Sequence, residues 1–188
     1  MAITDKKTGV WGLDQVYNKI NQGSIWFYPI HFFSWGRNDY GQCGLNNRTQ
    51  YSSPTQVPGT TWAKFDTAIR TTAAIKTDGT LWMWGGNHEG ELGQNQQNPV
   101  SNAGYSSPVQ IPGTTWDQVH VGADSGSADA FVHATKTDGT LWAWGANDKG
   151  CLGLNQGGSS GNRSSPTQVP GTSWKIYPRG SCAIATRE

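Results

Sequence analysis

Three stretches of this chain are near copies of one another. Tyr51–Trp62 reads YSSPTQVPGTTW, Tyr105–Trp116 reads YSSPVQIPGTTW and Arg163–Trp174 reads RSSPTQVPGTSW. A second block precedes each copy, at Trp35–Gly44, Trp84–Gly93 and Trp144–Gly153. All three second blocks have the form Trp-Gly-x-Asn-x-x-Gly-x-x-Gly. A unit recurring at this spacing is one supersecondary element that buries its apolar face only by stacking on its neighbours. The intervening segments Asn46–Gln50, Asn95–Gly104 and Asn155–Asn162 vary in length and are rich in Asn, Gln, Gly and Ser, as surface loops are.

Local signals make the unit all-β. Thr77-Asp78-Gly79-Thr80 and Thr137-Asp138-Gly139-Thr140 read as hairpin turns, with Asp-Gly suited to a type I′ geometry. The outgoing arms Leu81–Trp84 and Leu141–Trp144 are apolar on both faces, which predicts central strands covered on two sides. Pro54, Pro58 and their equivalents lack a backbone donor and belong at strand edges or starts. The 188 residues suffice for one ordinary domain. With 25 Gly and 10 Trp they describe many turns around an aromatic core. We divide the chain into an N-terminal arm, 1–30, and a repeat domain of three blade-like units, 31–188.

The ends of the repeat domain complement each other. Phe32–Trp35 aligns with the outgoing arm Leu81–Trp84, but no incoming arm precedes it. Cys182–Thr186 aligns with the incoming arm Ala73–Thr77, but no outgoing arm follows it. Unpaired strand edges invite pairing. We therefore expect Ala183–Arg187 to pair antiparallel with His31–Trp35, within one chain or between chains. Phe32, Phe33, Trp35, Ala183, Ile184 and Ala185 would form this ring closure.

The run Asp-Gly-Thr-Leu-Trp-x-Trp-Gly-x-Asn-x-x-Gly-x-Leu-Gly, followed by Ser-Ser-Pro-x-Gln-Val-Pro-Gly, resembles the repeats of the regulator-of-chromosome-condensation family. The resemblance covers about residues 31–188 and implies four-stranded β-propeller blades, with one blade split between the two ends. It departs from the family in blade number, three against the usual seven. The Gly-x-x-His stretch common in the family is also missing from Arg70–Ala73.

In the N-terminal arm, Leu13, Val16, Tyr17 and Ile20 fall on one face of a short helix, with Trp11 just before it. Gly9–Tyr17 is similar to short stretches in structural proteins of tailed bacteriophages. With that resemblance, Trp11, Leu13, Val16, Tyr17 and Ile20 become the candidate residues for docking on a partner protein.

Residues with chemical potential read as structural. His31, His88, His120 and His133 have no metal-ligand spacing. Asn38-Asp39 and Asn147-Asp148 lack the full ligand alternation of a calcium loop and read as Asx-turn caps. Cys43, Cys151 and Cys182 form no CxxC pair; Cys43, aligned with Leu92 and Leu152, reads as a small core residue. The recurring Trp residues read as packing between units, while Trp26, Phe27 and Tyr28 are candidates for a sugar-stacking platform. No catalytic residue, metal site or cofactor is expected.

A net charge of +1 argues against nucleic-acid binding, and no apolar run reaches the length of a membrane helix. The N-terminus shows no signal peptide. The expected function is a non-enzymatic structural or adhesion protein of a phage virion, assembled in the host cytoplasm. It would be a decoration, fibre or tail component that displays polar loops. Its expected partners are other virion proteins and further copies of itself. A carbohydrate-binding host-recognition module, contacting a host-surface glycan, is the alternative. A propeller regulating a GTPase is a more distant one.

Overall fold

A computed structural model describes residues 31–97, 104–123, 130–177 and 184–187. Two complete four-stranded antiparallel blades form its centre. The first orders β3 (Trp62–Thr67), β4 (Thr71–Lys76), β5 (Leu81–Gly86) and β6 (Gly104–Ile111). The second orders β7 (Trp116–Ala123), β8 (Ala130–Lys136), β9 (Leu141–Gly145) and β10 (Arg163–Val169). A half-blade flanks each side. β1 (Phe33–Gly36) pairs with β2 (Tyr51–Gln56), and β11 (Trp174–Tyr177) pairs with β12 (Ile184–Arg187). The strands β3, β7 and β11 pack against neighbouring blades, whereas β2, β6 and β10 are outer edges. Pro54, Pro108 and Pro166 all lie in those edge strands, where a missing donor costs no ladder bond.

The core follows from the middle strands. β4 and β8 are buried almost throughout, and Leu81, Met83, Trp84, Ala143 and Trp144 of β5 and β9 are buried with them. The main apolar cluster runs from Ile75 and Met83 of the first blade to Val121, Val132 and Trp144 of the second. One core therefore spans the junction, as expected of units that cannot bury their faces alone.

Each hairpin turn is a three-residue loop. Gly79 N–H donates to the Lys76 carbonyl at 3.0 Å, and Lys76 N–H to the Thr80 carbonyl at 2.9 Å. Gly79 and Gly139 take φ of +76° and +78°, while Asp78 and Asp138 are not among the residues with positive φ. This corrects the type I′ expectation. The turn is type I followed by a left-handed glycine, the other common hairpin solution. The Asp78 carboxylate accepts from both Thr80 N–H (3.0 Å) and Thr80 Oγ1 (2.6 Å), and Thr80 Oγ1 in turn accepts from Trp82 Nε1 at 2.9 Å. Asp138, Thr140 and Trp142 repeat the relay.

The last strand sits two residues from the register that the sequence alignment gives it. Arg187 pairs with Trp174 and stacks over its ring at 5.7 Å. Lys76 pairs with Trp62, stacking at 4.8 Å, and Lys136 pairs with Trp116, stacking at 4.7 Å. Ile184–Arg187 is thus equivalent to Ala73–Lys76 and His133–Lys136. The cation over the indole fixes the register, and Ala185-Thr186-Arg187 matches Ala134-Thr135-Lys136.

β1 and β12 do not pair with each other within the chain. Among the described residues each has a neighbour on one side only. Trp11, Leu13, Val16, Tyr17, Ile20, Trp26, Phe27, Tyr28, Cys182 and Ala183 lie outside the described residues.

Candidate docking interface

The blade-to-blade joint is built from the Trp-Gly block. In each block an asparagine closes the loop between the third and fourth strands. Asn38 Oδ1 accepts from Cys43 N–H at 2.9 Å, and its Nδ2 donates to the carbonyls of Asn47 and Thr49. Asn87 and Asn147 do the same for Leu92 N–H and Leu152 N–H, both at 3.0 Å. All three asparagines are buried, so their amides act as internal caps of the kind read from the sequence.

Two of the three loops so fixed receive a tryptophan from the following blade. Trp84 Nε1 donates to the Gln42 carbonyl at 2.9 Å, and Trp144 Nε1 to the Glu91 carbonyl at 2.8 Å. Both indoles are fully buried. A glycine makes room for each. A Cβ on Gly44 would stand 2.7 Å from Trp84 Nε1, and one on Gly93 would stand 3.0 Å from Trp144 Nε1. A second contact repeats beside it. Asn46 N–H donates to the Ser106 carbonyl at 2.8 Å, and Asn46 Oδ1 accepts from Ser107 Oγ at 2.7 Å. Asn95 makes the same pair with Ser164 (2.7 Å) and Ser165 (3.1 Å). Gly41 and Gly90 lie so close to the outer strand that a Cβ would fall 2.5 Å from the Cα of Ser106 and Ser164.

The same parts recur once more without their complement. Gly153 takes φ +67°, like Gly44 and Gly93, but a Cβ there would meet none of the described residues within 4 Å. Gly150 is equivalent to Gly41 and Gly90, and a Cβ on it would meet only the Gln156 carbonyl, at 3.8 Å. Beside them lies a cavity of about 170 Å³ lined by His120, His133, Cys151, Trp174, Ile176 and Ile184, among others. At the opposite end, Trp35 is 59% exposed, although Trp84 and Trp144 in the same position are fully buried. Phe33 and Ile184 are exposed as well. Of the residues expected to close the ring, Phe32 packs instead on its own neighbour blade, 4.8 Å from Phe65 and 6.1 Å from Trp84 between ring centroids.

Two histidines stand at the cavity. His120 Nδ1 and Asp66 Oδ2 of the neighbouring blade are 2.6 Å apart, and Val121 N–H donates to the same oxygen at 2.9 Å. Burial alone would raise the Asp66 carboxyl. The hydrogen bonds from His120, Val121 and Thr67 outweigh it and hold the group below the ordinary carboxylate range. On β8, burial, aided by His120, pushes His133 down to about 4, against a hydrogen bond with the Cys151 backbone. The sequence reading missed the Asp66–His120 latch. Its signal was positional, because each residue stands four places after the repeated Trp62 or Trp116. Among the described residues no group of three or more His, Cys, Asp or Glu side chains could hold a metal ion.

Comparison with known proteins finds the profile of the regulator of chromosome condensation (RCC1) repeat matching residues 31–66, 78–128 and 138–176. The probable E3 ubiquitin-protein ligase HERC4 of Mus musculus is 31% identical over 153 residues. The match covers 80% of this chain and 13% of the ligase. The E3 ubiquitin-protein ligase HERC2 of Homo sapiens is 30% identical over 136 residues, covering 69% of this chain and 3% of the ligase. The chain thus spans a small part of the curated relatives it matches. Among solved structures, Prp20p from Saccharomyces cerevisiae, described with its binding properties to Gsp1p and histones, superposes with a TM-score of 0.66 at 16% identity. That superposition covers 82% of this chain and 38% of Prp20p.

Proposed function

This chain belongs to the regulator of chromosome condensation repeat family, and we propose that it is a non-enzymatic binding scaffold, a structural or adhesion component of a phage virion. The observation that carries the scaffold reading is the contrast between joints and loops. Joint contacts repeat residue for residue, whereas beyond their first asparagine the outer loops 46–50, 95–104 and 155–162 differ in length and sequence. Such a body holds differing polar surfaces on a rigid frame, the usual division of labour between framework and loop.

The virion reading rests on Gly9–Tyr17 and its similarity to segments of tailed-phage structural proteins. In this reading Trp11, Leu13, Val16, Tyr17 and Ile20 bury against another virion protein. Each would contribute about 1.5–3 kcal/mol before the cost of ordering the segment. Particles assembled with the full chain carrying Trp11→Ser, Val16→Asp and Ile20→Asp should lack this protein, while the variant remains folded in solution. Normal incorporation of the triple variant refutes the docking role. The carbohydrate-binding alternative predicts glycan-array signals that survive the same substitutions.

A further inference from the structure

We propose that two copies of this chain join head to tail, each copy's β1–β2 half-blade completing the other's β11–β12 half-blade. The inference does not depend on the virion reading.

Every blade-to-blade joint in the chain needs a loop with an Asn cap, a Gly seat and an open carbonyl side. It also needs, from the next blade, a tryptophan and two serines. The described residues hold three such loops and three such inserts. Two loops are filled, by Trp84, Ser106 and Ser107 and by Trp144, Ser164 and Ser165. The loop left over is 147–155, and the insert left over is Trp35, Ser52 and Ser53, all exposed. They stand at opposite ends of the arc, and no pairing among the described residues brings them together. A second copy presents the missing insert to each.

The strand edges agree with this. In the first blade Ile75, Ala74 and Ala73 of β4 face Leu81, Trp82 and Met83 of β5. Carrying that register over, Thr186, Ala185 and Ile184 of β12 face Phe32, Phe33 and Ser34 of the second copy. The ladder β11–β12 then continues into β1–β2 in the same order as β3–β4–β5–β6. The incoming Trp35 reaches the seat of Gly153 and the cavity beside Trp174 and Ala185. This mirrors Trp84, which lies 5.8 Å from Trp62 and shares an apolar cluster with Trp62 and Ala74. Its indole N–H then points at the Cys151 backbone carbonyl, in the place of Gln42 and Glu91. One carbonyl can serve two donors here, since Gln42 accepts from both Thr72 Oγ1 and Trp84 Nε1, each at 2.9 Å. Beside it Asn155, with φ +56° like Asn46 and Asn95, meets Ser52 and Ser53.

Two copies satisfy both ends at once, because each offers its insert to the other's open loop and its β12 edge to the other's β1. The two contacts are related by a two-fold axis, so the assembly is closed and exposes no further edge.

Sedimentation equilibrium of the full chain at micromolar concentration should give twice the 20.3 kDa of one chain. Trp35→Asp spoils the insert and Ile184→Asp spoils the receiving edge. Both residues are exposed in the single chain, so each variant should fold with an unchanged circular dichroism spectrum. Each should raise the dimer dissociation constant about a hundredfold or more. Mixing the two variants should restore a dimer, because the Trp35→Asp chain keeps its receiving edge and the Ile184→Asp chain keeps its insert. Misfolding cannot produce that rescue. A monomeric wild type, a mass above two copies, a dimer indifferent to both substitutions or a mixture that stays monomeric each overturns the proposal.

Discussion

His133 lies in the middle of β8 with Phe131 edge-on at 5.5 Å between centroids, and its Nδ1 has no hydrogen-bond partner among the described residues. Desolvation keeps it neutral. Its folded value of about 4 stands below the 6.5 it has when unfolded. As pH falls through 6.5 the unfolded chain gains a proton that the folded chain refuses until about 4. Stability is therefore complete above pH 6.5, declines between 6.5 and 4, and levels off below. The decline should reach up to about 3 kcal/mol. His133→Leu should flatten this limb, read as denaturant midpoints at pH 7.5, 5.5 and 4.5. A slope unchanged by the substitution would assign the acid sensitivity to other groups, with the Asp66–His120 latch the first to test. Thr80 offers a second measurement at this scale. Thr80→Val keeps the shape and the backbone N–H bond to Asp78, but it removes the hydroxyl bond to Asp78 and strands the Trp82 indole N–H. It should cost about 1–2 kcal/mol of unfolding free energy.

At the scale of the element, one glycine substitution has different consequences at equivalent positions. Gly44 and Gly153 share a left-handed backbone, so alanine at either carries about 1–2 kcal/mol of strain. At Gly44 the new methyl also displaces the Trp84 indole from the Gln42 carbonyl, and the total should rise to about 3–5 kcal/mol. Gly153→Ala should cost the strain alone when the protein is dilute, and equal losses for the two variants in urea titrations would contradict the open seat. These equivalences were legible in the sequence, because the Trp-Gly block repeats without a gap. The turn type was not. Asp-Gly suits type I′, but the Asp78 carboxylate bridging to Thr80 holds Asp78 out of the left-handed region and leaves only Gly79 in it. The register of β12 was misjudged for a similar reason. Matching apolar residues favoured Ile184 against Ile75, whereas the cation over the indole puts Arg187 in the place of Lys76 and Lys136. Side-chain to ring contacts between strands leave no mark in a hydrophobic pattern.

For the molecule as a whole, stability should be graded along the arc. β8 and β9 lie in a blade flanked on both sides and carry fully buried Val132, Ala134, Ala143 and Trp144. β1 and β12 are edges, four residues each, and β12 is exposed along its whole length. Amides with few buried neighbours open with little free energy, while those in the core exchange only when the whole body unfolds. In dilute solution, hydrogen exchange should therefore be fastest in β12 and β1, and slowest in β8 and β9. Concentration separates an open arc from a closed ring. If two copies close on one another, raising the protein concentration stabilises only the paired form by mass action. Protection should then rise at β1, at β12 and around Gly150–Asn155, while β4 and β8 change little beyond the shift in global stability. Ends already as protected as β8 in the dilute chain would mean that the half-blades are held by contacts other than these. A rise confined to the outer loops 46–50 and 95–97 would mean that copies associate through the display surface instead of the blade edges.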